Sequence, residues 1–485
     1  MAKRVAVIDI GSNSIRMVVY EKTSRFAFHL LHEAKSKVRI SEDAYKNGGN
    51  LQKEPMLRAF DALENFLSII SSLKVKKTLC VATSALRDAP NKKDFIDKVR
   101  TKLKLNIKII DGMKEAYFGS IACANLLPVQ NNAISIDIGG GSTEFSLIDS
   151  NNVSKTTSLE LGTVRLKELF FDKELVDDAI KYIDSKLDSF FTDITPNTII
   201  GIGGTFRAIS NAMMKNSKYP YKKLHAYECS EKDFQDFIAD ILEADRSTLK
   251  KLGIKKDRFD IIKPGALILQ RVLKRLSIKK LITSGVGVRE GVYLSDLLRG
   301  SKDKFPNNYN TSVRSLLDLH LDDKNFSNQL NTLSKKIFDL THKHLGIDKK
   351  YRYELATAAK LYITGNNIHF YSKRKHSYYL IQSALEYGFT HQQTILIATL
   401  VKFSGVTSQS HYEQYSALLP DIDTLNKLSY ILAVTNALLS HKPRNIDFDL
   451  KLDGDKLIVD SDKNLYLAKE NISKLIEIDN LKVIF

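Results

Sequence analysis

The feature that most constrains this chain is a strand–turn–strand pattern that occurs twice, around Asp9-Ile-Gly and around Asp137-Ile-Gly. Residues 5–20 and residues 133–148 each consist of an apolar β-branched run, this tripeptide, a few small polar residues and a second β-branched run. An apolar run, a glycine turn and another apolar run predict a hairpin. Two such hairpins at the start of similar stretches predict a duplicated α/β unit.

Beyond the hairpins, short apolar runs alternate with amphipathic stretches as far as residue 300. The further predicted strands are 78–82, 107–110, 198–202 and 281–283, and the predicted helices are 55–72, 92–104, 114–125 and one that begins at Thr205. Residues 300–310 resemble a linker, and residues 312–440 show helical spacing. We expect two α/β domains at 1–125 and 126–300, then a mainly helical region at 311–485 with a small terminal sheet.

Composition narrows the classes of protein and of partner. The 485 residues are 43% hydrophobic, which suits roughly two to four domains with ordinary cores. The net charge of +17 attracts anions, although some proteomes are simply rich in lysine. On charge alone, nucleic acid, an anionic membrane surface and a polyphosphate or nucleotide all stay open as partners.

Targeting and redox features point to the cytoplasm. The three cysteines are far apart and form no CxxC pair, so neither a disulfide framework nor a zinc site is expected. The chain has no run of about 20 apolar residues, so no membrane span is predicted. The apolar stretch at residues 5–10 is too short and too early for a signal peptide.

The glycine turns have the residues of a phosphate site. In the first turn, the backbone N–H groups of Ser12, Asn13 and Ser14 can form an anion nest, and Asp9 at the strand end can reach a metal. An ordinary hairpin turn is the alternative.

The second turn is the stronger signal, because three glycines remove every Cβ where a phosphate would approach. Its expected phosphate-binding residues are Gly139, Gly140, Gly141 and Ser142. Asp137 and Glu144 flank the turn and could hold a hydrated Mg²⁺, which prefers few protein carboxylates plus substrate oxygens.

A third glycine loop, Gly201-Ile-Gly-Gly-Thr205, precedes a predicted helix. Helix N-terminal amides suit a phosphate, so Gly203, Gly204 and Thr205 are further candidates, although the motif alone is weak. The segment Thr283–Glu290 resembles this loop.

Taken together, these turns resemble those of the actin/hexokinase/Hsp70/acetate kinase superfamily. Within it, the chain resembles the exopolyphosphatase/guanosine pentaphosphate phosphohydrolase family. The matching segments follow one another in the family's order within residues 5–300: Val7–Ser14, Val81–Ala89, Asp111–Ala116, Ile136–Glu144 and Ile202–Thr205. The resemblance implies two ribonuclease-H-like domains with an actin-like ATPase fold, followed by an all-α module similar to an HD domain.

The resemblance also implies residue roles. It makes Glu115 the catalytic base that aligns a water for in-line attack, although the residue by itself is an ordinary first-turn helix carboxylate. Arg87 matches a phosphate ligand of the family and is otherwise a solvated arginine at a helix end, whereas Arg16 could be structural. Asp137 and Glu144, with Asp9, would hold Mg²⁺ as cofactor.

The implied reaction is the release of the terminal phosphate from inorganic polyphosphate, from guanosine pentaphosphate, or from both. Neither nucleic acid nor a membrane is the expected partner. In the helical region, Tyr362 and Ile363 stand where the HD-like module of longer family members carries a His and an acidic residue. We therefore expect a metal-free module that shapes the substrate channel or forms a homodimer interface.

Three other functions compete with this interpretation. A sugar or carboxylate kinase of the same superfamily would need an acceptor pocket and an aspartate base. A non-catalytic nucleotide-binding module similar to actin or Hsp70 would bind ADP tightly and turn over slowly. A polyanion-binding protein with a degenerate site is the third, and the retained acidic residues and glycine turns argue against it.

Overall fold

The structure is a computed structural model that describes residues 3–188, 190 and 194–485, and the chain forms two compact units, Met1–Tyr309 and Asn310–Phe485. The strands of the first unit are β1 Arg4–Ile10, β2 Ile15–Lys22, β3 Phe28–Ser36, β4 Lys77–Ala82, β5 Lys108–Ile109, β6 Ala133–Ile138, β7 Thr143–Asp149, β8 Asn152–Leu159, β9 Thr198–Ile202, β10 Tyr227–Ser230 and β11 Lys280–Thr283. Its helices are α1 Lys53–Ser72, α2 Ser84–Arg87, α3 Lys92–Leu103, α4 Gly112–Leu126, α5 Thr163–Leu169, α6 Val176–Leu187, α7 Gly203–Asn216, α8 Glu231–Glu243, α9 Arg246–Lys251, α10 Ile262–Leu273 and α11 Val288–Leu297.

The strands of the first unit form two sheets. Among the described residues, one sheet has five strands in the order β3-β2-β1-β4-β5, and the other has six in the order β10-β11-β9-β6-β7-β8. Each sheet contains one of the predicted hairpins, β1–β2 and β6–β7, and both hairpins are antiparallel. Each sheet also packs its apolar side chains into a core of its own, around Ile8 and Leu63 in the first and around Phe145 and Ile268 in the second.

Parallel pairing explains how distant motifs meet. Strands β1, β4 and β5 are parallel to one another, and so are β6, β9 and β11. The carboxyl ends of parallel strands lie at one edge of a sheet, where ligands of open α/β sheets bind. The segments that follow these strands are therefore gathered at one edge of each sheet.

Helix α4 lies in the middle of the first unit and is buried on most sides. It packs against β7, β8 and α11, and its buried residues include Ala116, Phe118 and Ile121. The approach of α11 is close enough that a Cβ on Gly291 would overlap the backbone of Phe118. A helix enclosed in this way gives its first turn, which contains Glu115, a fixed position.

The second unit is mainly helical. Its helices are α12 Thr311–His320, α13 Asn325–Thr341, α14 Arg352–Leu361, α15 Lys373–Ala384, α16 His391–Phe403, α17 Gln409–Tyr415, α18 Ile422–Leu438 and α19 Tyr466–Ile472. Strands β12 Asp449–Asp453, β13 Lys456–Asp460 and β14 Lys482–Ile484 form a small sheet. Tyr362 and Ile363 both contribute to the apolar core of this unit. Among the described residues, no helix combines the length and the apolarity that a bilayer crossing requires.

Candidate active site

The two glycine turns are closed in the same way. The N–H of Gly11 donates to the carbonyl of Ser14 over 3.2 Å, and the N–H of Gly139 donates to the carbonyl of Ser142 over 2.9 Å. Across the hairpins, Asp9 faces Arg16 and Asp137 faces Glu144. The turns are therefore equivalent in structure as well as in sequence, and they differ in the residue that faces the aspartate.

In both turns, backbone carbonyls accept hydrogen bonds from a neighbouring segment of the chain. The carbonyls of Ser12 and Asn13 accept from the N–H groups of Ser41 and Arg39, over 3.2 and 3.1 Å. In a trans peptide the C=O and the next N–H point in opposite directions. The N–H groups of Asn13 and Ser14 therefore point away from the 39–41 segment.

The second turn has the same arrangement, with the start of α5 in the outer position. The carbonyls of Gly139 and Gly140 accept from the N–H groups of Thr163 and Val164, over 3.0 and 2.8 Å. The N–H of Gly140 therefore points away from α5, and Gly140 lines the cavity between the two turns.

That cavity, of about 160 Å³, lies between the carboxyl edges of the two sheets. Most of the predicted site residues line it: Asp9, Ser12, Asn13, Ser14, Glu115, Asp137, Gly139, Gly140, Glu144, Gly203, Gly204 and Thr205. The loops that bear the two turns also touch, since a Cβ on Gly140 would overlap the side chain of Ser12. Residues from both Asp-Ile-Gly turns and from the first turn of α4 are thus brought together in one cavity.

Three predicted residues lie beside this cavity rather than in its wall. Arg87 and Ser142 line a neighbouring cavity of about 280 Å³, together with Ser158. Gly141 faces the side chains of Tyr45 and Ser84, where a Cβ would overlap both hydroxyl groups.

Glu115 forms an ion pair with Arg87. Asp111 caps the N-terminus of α4 by accepting from the N–H of Lys114, and Glu115 follows in the first turn, where it is only 8% exposed. Nη1 of Arg87 lies 2.9 Å from Oε2 of Glu115 and also donates to the carbonyl of Ile110. Burial and the charge of Glu144 raise the pKa of Glu115, and Arg87 opposes that rise.

The other carboxyl groups in the cavity are also hard to ionise. Burial, reinforced by Asp9, raises the pKa of Asp137 to about 6 although Arg207 opposes it. Burial and Asp137 raise the pKa of Glu144 to about 7, although its Oε1 accepts a hydrogen bond of 2.7 Å from Ser158. Burial also raises the pKa of Asp9. Acidic groups packed this closely need positive charge nearby.

Much of that positive charge comes from arginines that the sequence analysis did not identify. Arg207, Arg258 and Arg289 line the cavity together with Arg16. Arg207 is held by the carbonyls of Ser284 and Val286, over 2.8 and 3.0 Å. The sequence holds only a weak signal for them: Arg289 belongs to the Thr283–Glu290 segment, and Arg207 follows the third glycine loop.

The third loop has one glycine in a conformation that other residues seldom adopt. Gly203 has a φ of 82°, and a Cβ at this position would overlap Oδ1 of Asp137. Gly203 also begins α7, so its neighbours Gly204 and Thr205 present helix N-terminal amides to the cavity.

The donor set suits a magnesium ion that is bound mainly by water and substrate. Among the described residues, no three His, Cys, Asp or Glu side chains are grouped closely enough to form a metal cage. Asp9, Asp137 and Glu144 nevertheless share the cavity with backbone amides that suit phosphate oxygens. Mg²⁺ usually keeps several waters and uses one or two protein carboxylates plus phosphate. The residues therefore fit such an ion.

Comparison with known families decides which one the chain belongs to. A model described as the Ppx/GppA phosphatase family matches residues 18–300, and one described as Ppx/GppA phosphatase, domain III, matches residues 310–464. The chain belongs to the Ppx/GppA phosphatase family. The resemblance stated from the sequence is therefore confirmed.

Several members and relatives of the Ppx/GppA family are similar over long stretches. A guanosine-5'-triphosphate,3'-diphosphate pyrophosphatase of Vibrio campbellii is 27% identical over 497 residues, covering 98% of this chain and 95% of that protein. A bifunctional 3-dehydroquinate synthase/phosphatase of Fusobacterium nucleatum is 30% identical over 292 residues, covering 55% of this chain and 43% of that protein.

Solved structures of the Ppx/GppA family share the fold. An exopolyphosphatase from Cytophaga hutchinsonii has a TM-score of 0.58 at 26% identity, covering 62% of this chain and all (100%) of that one. The Aquifex aeolicus family member has a TM-score of 0.54, also at 26% identity, with 62% and 99% covered. Together with the domain III match, these structures confirm the predicted fold class of two actin-like α/β domains and a helical C-terminal module.

Proposed function

We propose that this chain is a phosphohydrolase that releases the terminal phosphate from a linear phosphate chain by magnesium-assisted in-line attack of water. The substrate would be inorganic polyphosphate, guanosine pentaphosphate, which is converted to the tetraphosphate, or both. The observation that carries the proposal is the position of Glu115, buried in the wall of the cavity that both glycine turns line. The names of the relatives from Vibrio campbellii and Cytophaga hutchinsonii support the substrate class.

The turns and the arginines would bind the phosphate chain. The N–H groups of Ser14 and Gly140 point away from the segments that hold the turn carbonyls, so they are available to phosphate oxygens. Gly204 and Thr205 add amides at the start of α7. Arg16, Arg207 and Arg289 would offset the charge of the substrate, since guanidinium groups match phosphate geometry.

Glu115 would act as the general base. Burial and Glu144 raise the pKa of Glu115, which makes its carboxylate a stronger base toward the attacking water. Arg87 would orient it, because the ion pair of 2.9 Å limits the directions that the carboxylate can take. A guanidinium has five N–H donors, so Arg87 can also donate to a terminal phosphate while it holds Glu115.

Asp137 and Glu144, with Asp9, are the residues that would hold Mg²⁺. Bound there, the ion would supply positive charge to the departing phosphate. Residues of this chain would do the rest of the work: binding by the turn amides, orientation of Glu115 by Arg87, and charge compensation by the arginines.

The test is phosphate release from polyphosphate and from guanosine pentaphosphate, measured side by side with and without Mg²⁺. We expect magnesium-dependent release from at least one substrate. For Glu115→Ala we expect turnover to fall at least about 100-fold with substrate binding nearly intact. Glu64→Ala, an exposed carboxylate on α1, is the matched control and should behave like the wild type.

Two results would reject this function. Transfer of phosphate from ATP to a sugar or carboxylate, without phosphate release from either chain, would favour a kinase. Equal losses of binding and turnover in Glu115→Ala would make Glu115 structural rather than catalytic.

We also propose that the enzyme acts in the cytoplasm as a homodimer formed through residues 310–485. The free thiols of Cys80, Cys123 and Cys229 suit a reducing compartment. Large apolar side chains are exposed in the second unit, among them Tyr371 and Tyr379. Light scattering of the purified chain would give the mass, and a strictly monomeric mass would contradict the dimer.

A further inference from the structure

The second unit contains a cavity of about 560 Å³ that the proposed reaction does not use. It lies between the start of α13, the turn that leads into α15, and the segment that follows α18. Its volume is within the range of small-molecule sites, which are usually about 300–1,000 Å³. Ile363 is part of its wall.

One polar atom in this wall is buried without a partner. Gln329 is 7% exposed, and its Nε2 donates to the carbonyls of Pro443 and Arg444 over 3.1 and 3.0 Å. These two bonds determine the orientation of the amide, because a flipped amide would place its oxygen against two carbonyls. Within the described part of the chain, Oε1 of Gln329 accepts no hydrogen bond. An unpaired buried acceptor costs free energy unless a ligand donates to it.

Two further residues of the same wall also have a buried oxygen without a hydrogen-bond partner among the described residues. These oxygens are Oδ1 of Asn366 and Oγ of Ser440. Gln329, Asn366 and Ser440 are all residues of this one cavity wall, and their unpaired oxygens favour a ligand that donates hydrogen bonds there.

The cavity also has an excess of positive charge. Lys373, Lys442 and Arg444 line it, and Asp323 is the acidic residue beside them. Within the described ranges, none of these three cations forms an ion pair with a carboxylate. Burial and the charge of Lys442 lower the pKa of Lys373, which is the effect expected of cations that face one another without an anion.

Aromatic rings complete the wall. Phe326 and Phe370 line the cavity, and the ammonium groups of Lys442 and Lys373 lie 5.7 and 4.9 Å from their ring centroids. A flat aromatic base stacks on such rings, and the cations beside them suit an attached phosphate.

We propose that this cavity is a binding site for a nucleoside monophosphate. Lys373, Lys442 and Arg444 hold the phosphate, the rings of Phe326 and Phe370 flank the base, and Oε1 of Gln329 accepts from a base N–H. The site is independent of the phosphohydrolase reaction, and its binding can be measured on a catalytically inactive chain.

The test is calorimetric titration of the full-length chain with guanosine 5'-monophosphate, whose base has adjacent N–H donors. The variant Lys373→Ala/Lys442→Ala removes two cations from the cavity. Lys451→Ala/Lys456→Ala, on the exposed faces of β12 and β13, loses the same charge away from it. We expect binding at least about tenfold weaker in the first variant and unchanged in the second, because only the first variant loses charged hydrogen bonds to the phosphate.

Inorganic phosphate and guanosine, titrated separately, should each bind at least about tenfold more weakly than the whole nucleotide. Phosphate that binds as tightly as the nucleotide would overturn the nucleoside assignment. Equal affinities in the two double variants would place the nucleotide elsewhere, and no heat of binding at all would overturn the site. If the first variant does not fold, Arg444→Ala at an exposed position tests the same phosphate contact.

Discussion

On the proposed mechanism, Arg87 would affect the reaction through the pKa of Glu115, and a change at this single residue should show it. Burial and Glu144 raise that pKa, whereas Arg87 lowers it. In Arg87→Ala the pKa should therefore rise further, and the base should become ionised only at higher pH. We expect the acidic limb of the pH profile of kcat/KM to move upward, with a lower maximal rate.

The matched control is Arg100→Ala, an exposed arginine on α3 that pairs with Asp97. This control should leave the pH profile of kcat/KM for phosphate release unchanged. If Arg87→Ala lowers the rate but leaves the acidic limb at the wild-type pH, Arg87 contacts the substrate phosphate and does not control the pKa of Glu115.

Gly203 offers a second test, because it combines an unusual backbone conformation with close contact to Asp137. Gly203→Ala should cost about 1–3 kcal/mol through its positive φ and should also displace the Asp137 carboxylate. Gly346 has a φ of 64°, and a Cβ added there would meet no atom within 4 Å, so Gly346→Ala shares only the backbone cost. Both variants should melt earlier, but only Gly203→Ala should lose activity. Equal activities would show that Asp137 tolerates the displacement.

The residues of the site differ in how far they could be predicted. Asp9 and Asp137 each stand beside glycines in a short motif, so the local sequence is enough to select them as candidates. Glu115 was identified through family resemblance, since nothing local separates it from other first-turn carboxylates. Arg207 and Arg289 reach the cavity from segments that are far apart in sequence. No local motif indicates that these segments come together.

At the scale of elements, the inner strands were predicted, whereas three of the four edge strands of the two sheets described in the first unit, β3, β8 and β10, were missed. The fourth edge strand, β5, lies within the predicted strand 107–110. Strands β1, β6 and β9 are apolar and lie inside their sheets, so their sequences show continuous β-branched runs. The edge strands β3 and β8 have exposed polar residues along their length, such as Glu33, Lys35 and Lys155. Their pairing depends on the neighbouring strand, which sequence periodicity does not reveal.

The contact between α16 and α17 predicts a loss of stability in acid. His411 lies among Tyr378, Phe403 and Tyr415, and its Nε2 is 2.9 Å from Oγ1 of Thr399. Burial, with help from Lys402, lowers the pKa of His411 from 6.5 to about 4. The unfolded chain therefore binds the proton more readily, so this stability is complete above pH 6.5 and is lost as pH falls toward 4.

Denaturant unfolding at pH 7 and at pH 4.5 would measure this loss. We expect His411 to account for about 2 kcal/mol of the difference between the two pH values. His411→Gln should reduce the difference by that amount, and His344→Gln, at an exposed position, should leave it unchanged. Equal differences in the wild type and His411→Gln would show that the histidine is not the titrating group.

At the scale of the whole molecule, the net charge of +17 should make substrate capture sensitive to salt. Raising the NaCl concentration from about 50 to about 300 mM shortens the Debye length, so exposed lysines attract a polyanion less strongly. We expect the KM for long-chain polyphosphate to rise several-fold while kcat changes little, because the arginines of the cavity are more shielded from solvent. A kcat that falls as steeply as affinity would place the salt effect inside the catalytic cavity.

The two hairpins differ in charge at one position, where Arg16 faces Asp9 but Glu144 faces Asp137. Exact duplication would have made the two walls of the cleft alike in charge. With a cation on one wall and an anion on the other, reversing a bound phosphate chain end for end changes its electrostatic energy. A single exchange of sign within a repeated hairpin thus gives the cleft a polarity, and a polymer that has identical ends in solution acquires a head and a tail when it binds.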